Sequence, residues 1–325
     1  MHEYAISFFI LTDLPIFSIH GNHDDPTREG GTEMLAALDL LAVSNLVNYF
    51  GRQDEVDKVE VSPILIEKGG PNGTKVALYG MGSMRDERLN RMWRGKKVRF
   101  LRPEEGDWFH VFALHQNRDL GRGVKNCVHE SMIPEWMDLV VWGHEHECLI
   151  EPAESVVGTF RITQPGSSVA TSLTGGEAVR KQVGVLEIKA NQFRLKAIPL
   201  TQVRSFVMGE LSLQDQYKSL DPEDPKIDDK MAKILEDEVR TLVFEAREKR
   251  KTLLHDAAAA GNSVAHDNTA LKSKLEKPDE VLIRLKVEHT GFSTLNNQRF
   301  GAKFVGDVVR EGNRVCKRSS LFVHP

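Results

Sequence analysis

The sequence predicts a layered α/β domain followed by a second, smaller α+β domain, and three observations carry that prediction. Up to about Leu200, short apolar runs alternate with helix-like stretches, the texture of a sheet covered by helices. After Leu200 the texture changes, and Asp221-Pro222-Glu223-Asp224-Pro225 marks a turn or linker ahead of a long amphipathic stretch. Several apolar runs of the first region also end directly in clusters rich in His, Asn and Asp.

The expected strands of the first domain are Leu14–Ile19, Lys75–Tyr79, Trp108–Leu114, Leu139–Trp142, Arg161–Thr163, Val183–Ile188 and Phe193–Ala197. Glu33–Val47 reads as a helix, with Leu35, Leu38, Leu41 and Val47 near a common face. In the second domain Met231, Ile234, Leu235, Val239, Leu242, Val243 and Ala246 recur at helical spacing. That is an amphipathic helix of about five turns with Asp228 as its N-cap. It packs on its own domain or binds a partner; the spacing alone fits both. Ala257–Lys274 reads as weak helix or loop, and Val281–Glu288 alternates as a strand. Glu311–Pro325 has no periodicity and reads as a disordered tail.

Composition narrows the class. With 40% apolar and 28% charged residues the chain reads as globular, and 325 residues suffice for two cores. No stretch approaches the roughly 20 apolar residues of a membrane span. Ala5–Leu11 is too short, and lacks the basic flank, for a signal peptide. Three scattered cysteines, Cys127, Cys148 and Cys316, suit a reducing compartment without a disulfide framework. A net charge of -4 gives no global attraction to nucleic acid, so any DNA contact must come from local patches.

The chemistry sits at the strand ends. Leu14–Ile19 ends in His20-Gly21-Asn22-His23-Asp24-Asp25, Trp108–Leu114 in His115-Gln116-Asn117, and Leu139–Trp142 in Gly143-His144-Glu145-His146. In open α/β sheets, ligand sites gather beyond the carboxyl ends of the strands, so these three clusters form one convergent site. Hydrolysis of a phosphodiester needs a nucleophile at neutral pH and a clamp on the developing charge, and two divalent ions about 3.5–4 Å apart supply both. Gly21 and Gly143 permit the sharp turns that aim the ligands.

Phe17–Thr27 (FSIHGNHDDPT), Ala113–Arg118 (ALHQNR), Val140–Cys148 (VVWGHEHEC) and Gln164–Leu173 (QPGSSVATSL) resemble successive blocks of the nuclease family of the MRN (MRX) DNA double-strand-break repair complex, the eukaryotic relatives of bacterial SbcD. Leu282–Val309 resembles that family's capping domain. The resemblance implies a calcineurin-like metallophosphoesterase sandwich, incomplete at its N-terminus, over residues 1–200. It implies a DNA-binding α+β capping domain over 201–310, followed by a divergent tail over 311–325. It further implies a manganese-dependent 3′–5′ exonuclease and single-strand endonuclease of repair, recombination and meiosis. The implied setting is the nucleus, as a homodimer with the SMC-like zinc-hook ATPase and nibrin. Residue by residue, Asn22, His115 and His144 would hold one Mn2+, and His146 would be a ligand of a second. His23 would meet the scissile phosphate and protonate the leaving oxygen, with Asp24 orienting it.

The family's first two motifs, Asp-x-His and Gly-Asp-x-x-His, belong upstream of Gly21, and residues 1–20 contain neither. Gly106-Asp107-Trp108-Phe109-His110 matches the second motif by letter. It opens the strand that ends at His115, which puts His110 roughly 16 Å away at the other edge of the sheet. Two dications at about 3.7 Å repel by about 18 kcal/mol at an effective dielectric of about 20, and the remaining ligands are all neutral. The expectation is at most one ion and an inactive chain.

Arg85, Arg88, Arg91 and Arg94 head a basic run that continues to Arg102 with only Asp86 and Glu87 opposing it. It reads as a phosphate-contacting ridge or as a solvated helix face. Glu33–Val47 corresponds to part of the family's homodimer contact, with ordinary core packing as the alternative. The sequence departs from the family after Val309, so the ATPase contact is expected to be lost. A non-catalytic DNA-binding or regulatory subunit is the second functional reading. Another calcineurin-like enzyme, such as a protein phosphatase, is the third.

Overall fold

A computed structural model describes residues 14–26, 35–53, 55, 58–70, 73–119, 121, 123–259, 280–309 and 321–324. These fall into two compact units, Met1–Gly166 with Gly184–Ala197, and Ser167–Val183 with Ile198–Pro325. The units exchange short segments upstream of Leu200, where the sequence suggested a simple linear break. The expectation for Ala5–Leu11 lies outside the described residues.

In the first unit, β1 (Phe17–Ser18) pairs in parallel with β2 (Asn48–Tyr49), with α1 (Ala37–Val43) between them in sequence. There follow β3 (Val59–Val61), β4 (Ile64–Lys68), β5 (Thr74–Met81), α2 (Asp86–Arg94), β6 (Val98–Phe100), β7 (Phe109–His115) and β8 (Leu139–Gly143). The series ends with β9 (Leu149–Glu154), β10 (Arg161–Gln164), β11 (Gln182–Lys189) and β12 (Gln192–Pro199). The central sheet runs β4-β5-β7-β8-β10-β9. Its interior pairs, β5–β7, β7–β8 and β8–β10, are parallel, and the edge strands β4 and β9 join antiparallel.

Both faces of this sheet are covered, which explains why β7 and β8 read as nearly unbroken apolar runs. Phe112 and Leu114 of β7 pack on one side with Leu89 and Met92 of α2. Phe109 and Val111 pack on the other with Leu186, Ile188 and Phe193 of β11 and β12. Interior parallel strands all deliver their carboxyl ends to one edge, so His115 and His144 arrive side by side.

Some expected elements differ in extent. Leu14–Ile19 is a strand only over Phe17–Ser18, because its described pairing partner β2 is itself two residues long. The Glu33–Val47 helix is described as Ala37–Val43, and none of its residues is buried. Among the described residues, Leu35 and Leu41 of the expected face stand exposed, as do Leu40, Val43 and Leu46.

In the second unit, β13 (Phe206–Ser212), β14 (Leu282–Glu288) and β15 (Leu321–His324) form a parallel sheet in that order. The short α3 (Leu213–Gln216) and the long α4 (Ile227–Ala259) lie between β13 and β14 in sequence. They supply the crossover that a parallel pair requires. α5 (Asn297–Gly301) follows β14. Met231, Leu235, Val239, Leu242, Val243 and Ala246 of α4 are buried in one cluster with β13 and β14, so the helix packs within its own unit.

α4 is longer than expected at both ends. It starts at Ile227, which places Asp228 inside the first turn rather than at the cap, where its charge still favours the helix dipole. It continues through Ala257–Ala259, since alanine is the best helix former; the rest of the expected weak segment lies outside the described residues. The tail expectation also fails in part, because Leu321–His324 pairs with the free edge of β14.

Candidate metal centre

Asn22, His115 and His144 converge although they lie far apart in sequence. Asn22 Oδ1 stands 3.0 Å from His115 Nε2 and 3.2 Å from His144 Nδ1, and the two ring nitrogens are 3.3 Å apart. Three lone-pair atoms at such spacings match adjacent ligands about 2.1 Å from a common divalent ion. Burial, with the His144 ring next, pushes the His115 imidazole down to about 4. The ring is therefore neutral at physiological pH, the form that ligates.

The backbone is shaped to permit this approach. His144 sits in the left-handed region at φ 77°, a costly conformation for a side-chain residue that tends to occur at functional sites. A Cβ at Gly21 would lie 2.9 Å from His115 Cε1, and one at Gly143 would lie 3.1 Å from His115 Nδ1. Both glycines thus let their loops close on the His115 ring. The carboxylate of Asp24 accepts the Gly21 amide at 2.8 Å, closing a turn around Asn22 and His23. That amide is the contact observed for Asp24, and His23 itself is exposed to solvent.

His20 anchors the Asn22 loop, a role its sequence position did not suggest. Its Nδ1 lies 2.8 Å from the Tyr49 hydroxyl, and its Nε2 lies 3.0 Å from the Ser83 carbonyl and 3.5 Å from Asp25 Oδ1. A carbonyl can only accept, so Nε2 carries the proton and Nδ1 accepts from Tyr49. Burial raises the Tyr49 phenol to about 12, which keeps it a donor. On the far side, Arg118 N donates to Glu145 Oε1 at 3.0 Å. The Arg118 guanidinium reaches Gln164 at 3.2 Å and Glu130 at 3.1 Å, tying the His115 loop to the loop that carries His146. His146 is exposed, and its charge is among the influences that lower the His115 imidazole.

A cavity of about 290 Å³ opens on the cluster, lined by Asn22, His115 and His144 together with Asp25, Ser83, Arg85, Asp86 and Asn117. Asp25 and Asp86 were not singled out from sequence. Asp86 stood only as a break in the basic run, while Asp25 was masked by its neighbours His23 and Asp24. Asn117 Nδ2 donates to Asp86 Oδ2 at 2.7 Å, and burial raises the Asp86 carboxyl above its usual value.

The basic run divides between two roles. Arg85 lines the cavity at the head of α2, and Arg88 donates to the Glu55 carbonyl at 2.9 Å. Arg91 and Arg94 are exposed on the side of α2 away from buried Leu89 and Met92. His110 lies at the opposite end of β7 from His115, with Nδ1 3.4 Å from the Tyr79 hydroxyl and its ring against Trp136 at 4.9 Å. It is a core histidine outside the site.

The parallel sheet with a histidine- and amide-lined centre beyond its carboxyl edge defines a calcineurin-like phosphoesterase, and the family model for calcineurin-like phosphoesterases matches residues 2–148. A second model, described as the Mre11 DNA-binding presumed domain, matches residues 193–315. The chain belongs to the Mre11 family. It is 45% identical over 306 residues to the double-strand break repair protein MRE11 of Arabidopsis thaliana and 41% identical over 298 residues to that of Homo sapiens. It is 44% identical over 306 residues to that of Oryza sativa subsp. japonica. Each match covers 91% of this chain, and the chain spans only 38% to 39% of the length of these curated relatives.

Proposed function

We propose that the chain carries the metal-binding, DNA-directed phosphodiesterase site of a double-strand-break repair nuclease, with Asn22, His115 and His144 holding one divalent ion. The convergence of Asn22 Oδ1, His115 Nε2 and His144 Nδ1 within 3.3 Å carries this reading. Manganese is the ion the family resemblance implies; the neutral donors would also accept zinc, nickel or copper. Bound there, a divalent ion would act as a Lewis acid on a phosphate oxygen. His146, on the same loop as His144, would serve a second ion in the full constellation. His23, exposed one residue from Asn22 in the turn closed by Asp24, would meet the phosphodiester and give a proton to its leaving oxygen.

Arg85, Arg88, Arg91 and Arg94 on and beside α2 would contact the DNA backbone near the cavity. With three neutral donors among the described residues, the reading for this chain alone is binding of one ion and a phosphodiester rather than rapid turnover. A nuclear setting follows from the resemblance, which implies nibrin and the zinc-hook ATPase as the family's partners, with the ATPase contact expected to be lost in this chain. Titration calorimetry with manganese tests the core of this reading, with one ion per chain expected and none in His144→Ala. Two manganese ions per chain, or undiminished binding in that variant, would overturn it.

A homodimer through α1 is supported by the exposed Leu40, Val43 and Leu46. Sedimentation should show a dimer that Leu40→Glu dissociates, and a monomeric parent chain would exclude this contact.

A further inference from the structure

The loop that leaves β7 carries a second group of ligating side chains that the phosphodiesterase site does not use. Asp119, Cys127 and His129 have donor atoms all within 4.8 Å of one another. Among the described residues no other three His, Cys, Asp or Glu side chains meet in this way. The loop is closed at its base, where Val128 N donates to the Asn117 carbonyl at 3.0 Å and Arg118 bridges Val128. Cys127 is 1% exposed, while Asp119 stands in solvent.

We propose that Cys127 and His129 hold a thiophilic divalent ion, zinc by preference, with Asp119 orienting the imidazole. His129 Nε2 lies 3.8 Å from Cys127 Sγ. Ligands about 2.3 Å (sulfur) and 2.0–2.1 Å (nitrogen) from a tetrahedral zinc stand roughly 3.5 Å apart, so the pair needs to close by only a few tenths of an ångström. His129 Nδ1 lies 3.2 Å from Asp119 Oδ2. Without an ion, Nε2 donates to the Val124 carbonyl at 3.0 Å; an ion at Nε2 takes the place of that proton, and Asp119, accepting from Nδ1, holds the ring in the ligating tautomer, the usual arrangement behind a metal-bound histidine. The Val124 carbonyl, 3.0 Å from Nε2, and the Gly123 carbonyl, 3.7 Å from Sγ, supply oxygen on the same side. A thiolate and an imidazole together select zinc or a similar soft ion over manganese or magnesium.

The same three residues in the same order could be read as a Cys-His-Asp nucleophile. The burial of Cys127 argues against that, because no substrate reaches a sulfur this enclosed and burial pushes its thiol up, away from the thiolate. For metal binding the raised thiol has a different consequence. The S–H proton leaves to solvent as the metal–sulfur bond forms, so affinity climbs with pH. An ion here would fasten the loop whose base presents Asn117 to Asp86 in the first cavity, without sharing a ligand with the Asn22 cluster.

Cobalt(II) titration of the whole, chelator-treated chain separates the two sites, because a thiolate-to-cobalt charge-transfer band in the near ultraviolet requires sulfur and Asn22, His115 and His144 offer none. The band is expected at one equivalent and should be displaced by zinc. It should vanish in Cys127→Ser and persist in Cys148→Ser and in His144→Ala. His129→Gln and Asp119→Asn, which leave the buried thiol in place, should each weaken the ion by about tenfold or more. No band in the parent chain overturns the proposal, leaving His129 as a clamp between Asp119 and the Val124 carbonyl. A band that survives Cys127→Ser, is lost in Cys148→Ser, or is unaffected by His129→Gln does so equally.

Discussion

His110 and His115 occupy opposite ends of β7 and share one physical condition, since burial is the first cause of a lowered imidazole at both. Their surroundings divide them. His110 meets a phenol at 3.4 Å and an indole in a T-shaped contact, and its backbone N–H donates to Asp138 Oδ2 at 2.7 Å. His115 turns its Nε2 toward an amide oxygen and a second ring nitrogen beside a cavity. A depressed imidazole therefore marks burial in both places, and only the meeting of lone pairs singles out the candidate metal site. The amino end of a parallel strand receives packing partners; the carboxyl end receives ligands from its neighbours.

The sharpest way to break this contrast is to delete one histidine at each end. His115→Ala should weaken manganese binding by more than about 100-fold, beyond the usual cost of losing a partner that only orients a ligand. His110→Gln should leave binding within about twofold while lowering thermal stability, as a disturbed core contact does. Calorimetry on both variants decides it. Comparable metal loss in His110→Gln would mean that the two ends are coupled through the strand and that the division is wrong.

What the sequence made legible follows the same line. β7 and β8 were expected as Trp108–Leu114 and Leu139–Trp142 and are observed as Phe109–His115 and Leu139–Gly143. They are interior strands covered on both faces, and such strands write themselves as continuous apolar runs. The edge strands were not legible. β9 contains Pro152 between Glu151 and Glu154, which an edge tolerates and an interior strand does not. β4 likewise exposes Leu65 and Ile66. Within the site, the clusters that carry Asn22, His115 and His144 could be read from strand ends. Their supports could not, because His20 with Tyr49 and Ser83, and Asn117 with Asp86, are joined only by the fold.

Those supports give a second, smaller test, aimed at the carboxyl end alone. A Cβ at Gly82 would lie 2.0 Å from His20 Cε1. The ring cannot swing away without giving up Tyr49 or Ser83. Gly82→Ala should cost about 1–3 kcal/mol as an overpacked contact. Because His20 carries the turn that presents Asn22, metal affinity should also fall by about tenfold. Thermal unfolding with and without manganese reads both quantities. A stability loss with affinity intact would show that His20 packs the loop without positioning Asn22.

The smallest effect belongs to the amino end and is read through pH. Burial lowers the His110 imidazole from its ordinary 6.5, against a partial offset from Asp138. In the unfolded chain the ring takes a proton as pH falls through about 6.5; in the folded chain it stays neutral until a lower pH. The unfolded state thus binds more protons in that window, and stability is lost as pH falls below about 6.5, by at most about 1.4 kcal/mol per pH unit for one group. His115 acts in the same direction, with its folded value near 4, so the parent chain carries both contributions. His110→Gln removes one of them. Urea unfolding in the presence of a chelator, at pH 7 and pH 5.5, should show the variant less stable at pH 7 and yet less sensitive to the drop in pH than the parent. An unchanged sensitivity would mean that His110 protonates alike in both states, and the shared burial on which the comparison rests would then belong to His115 alone.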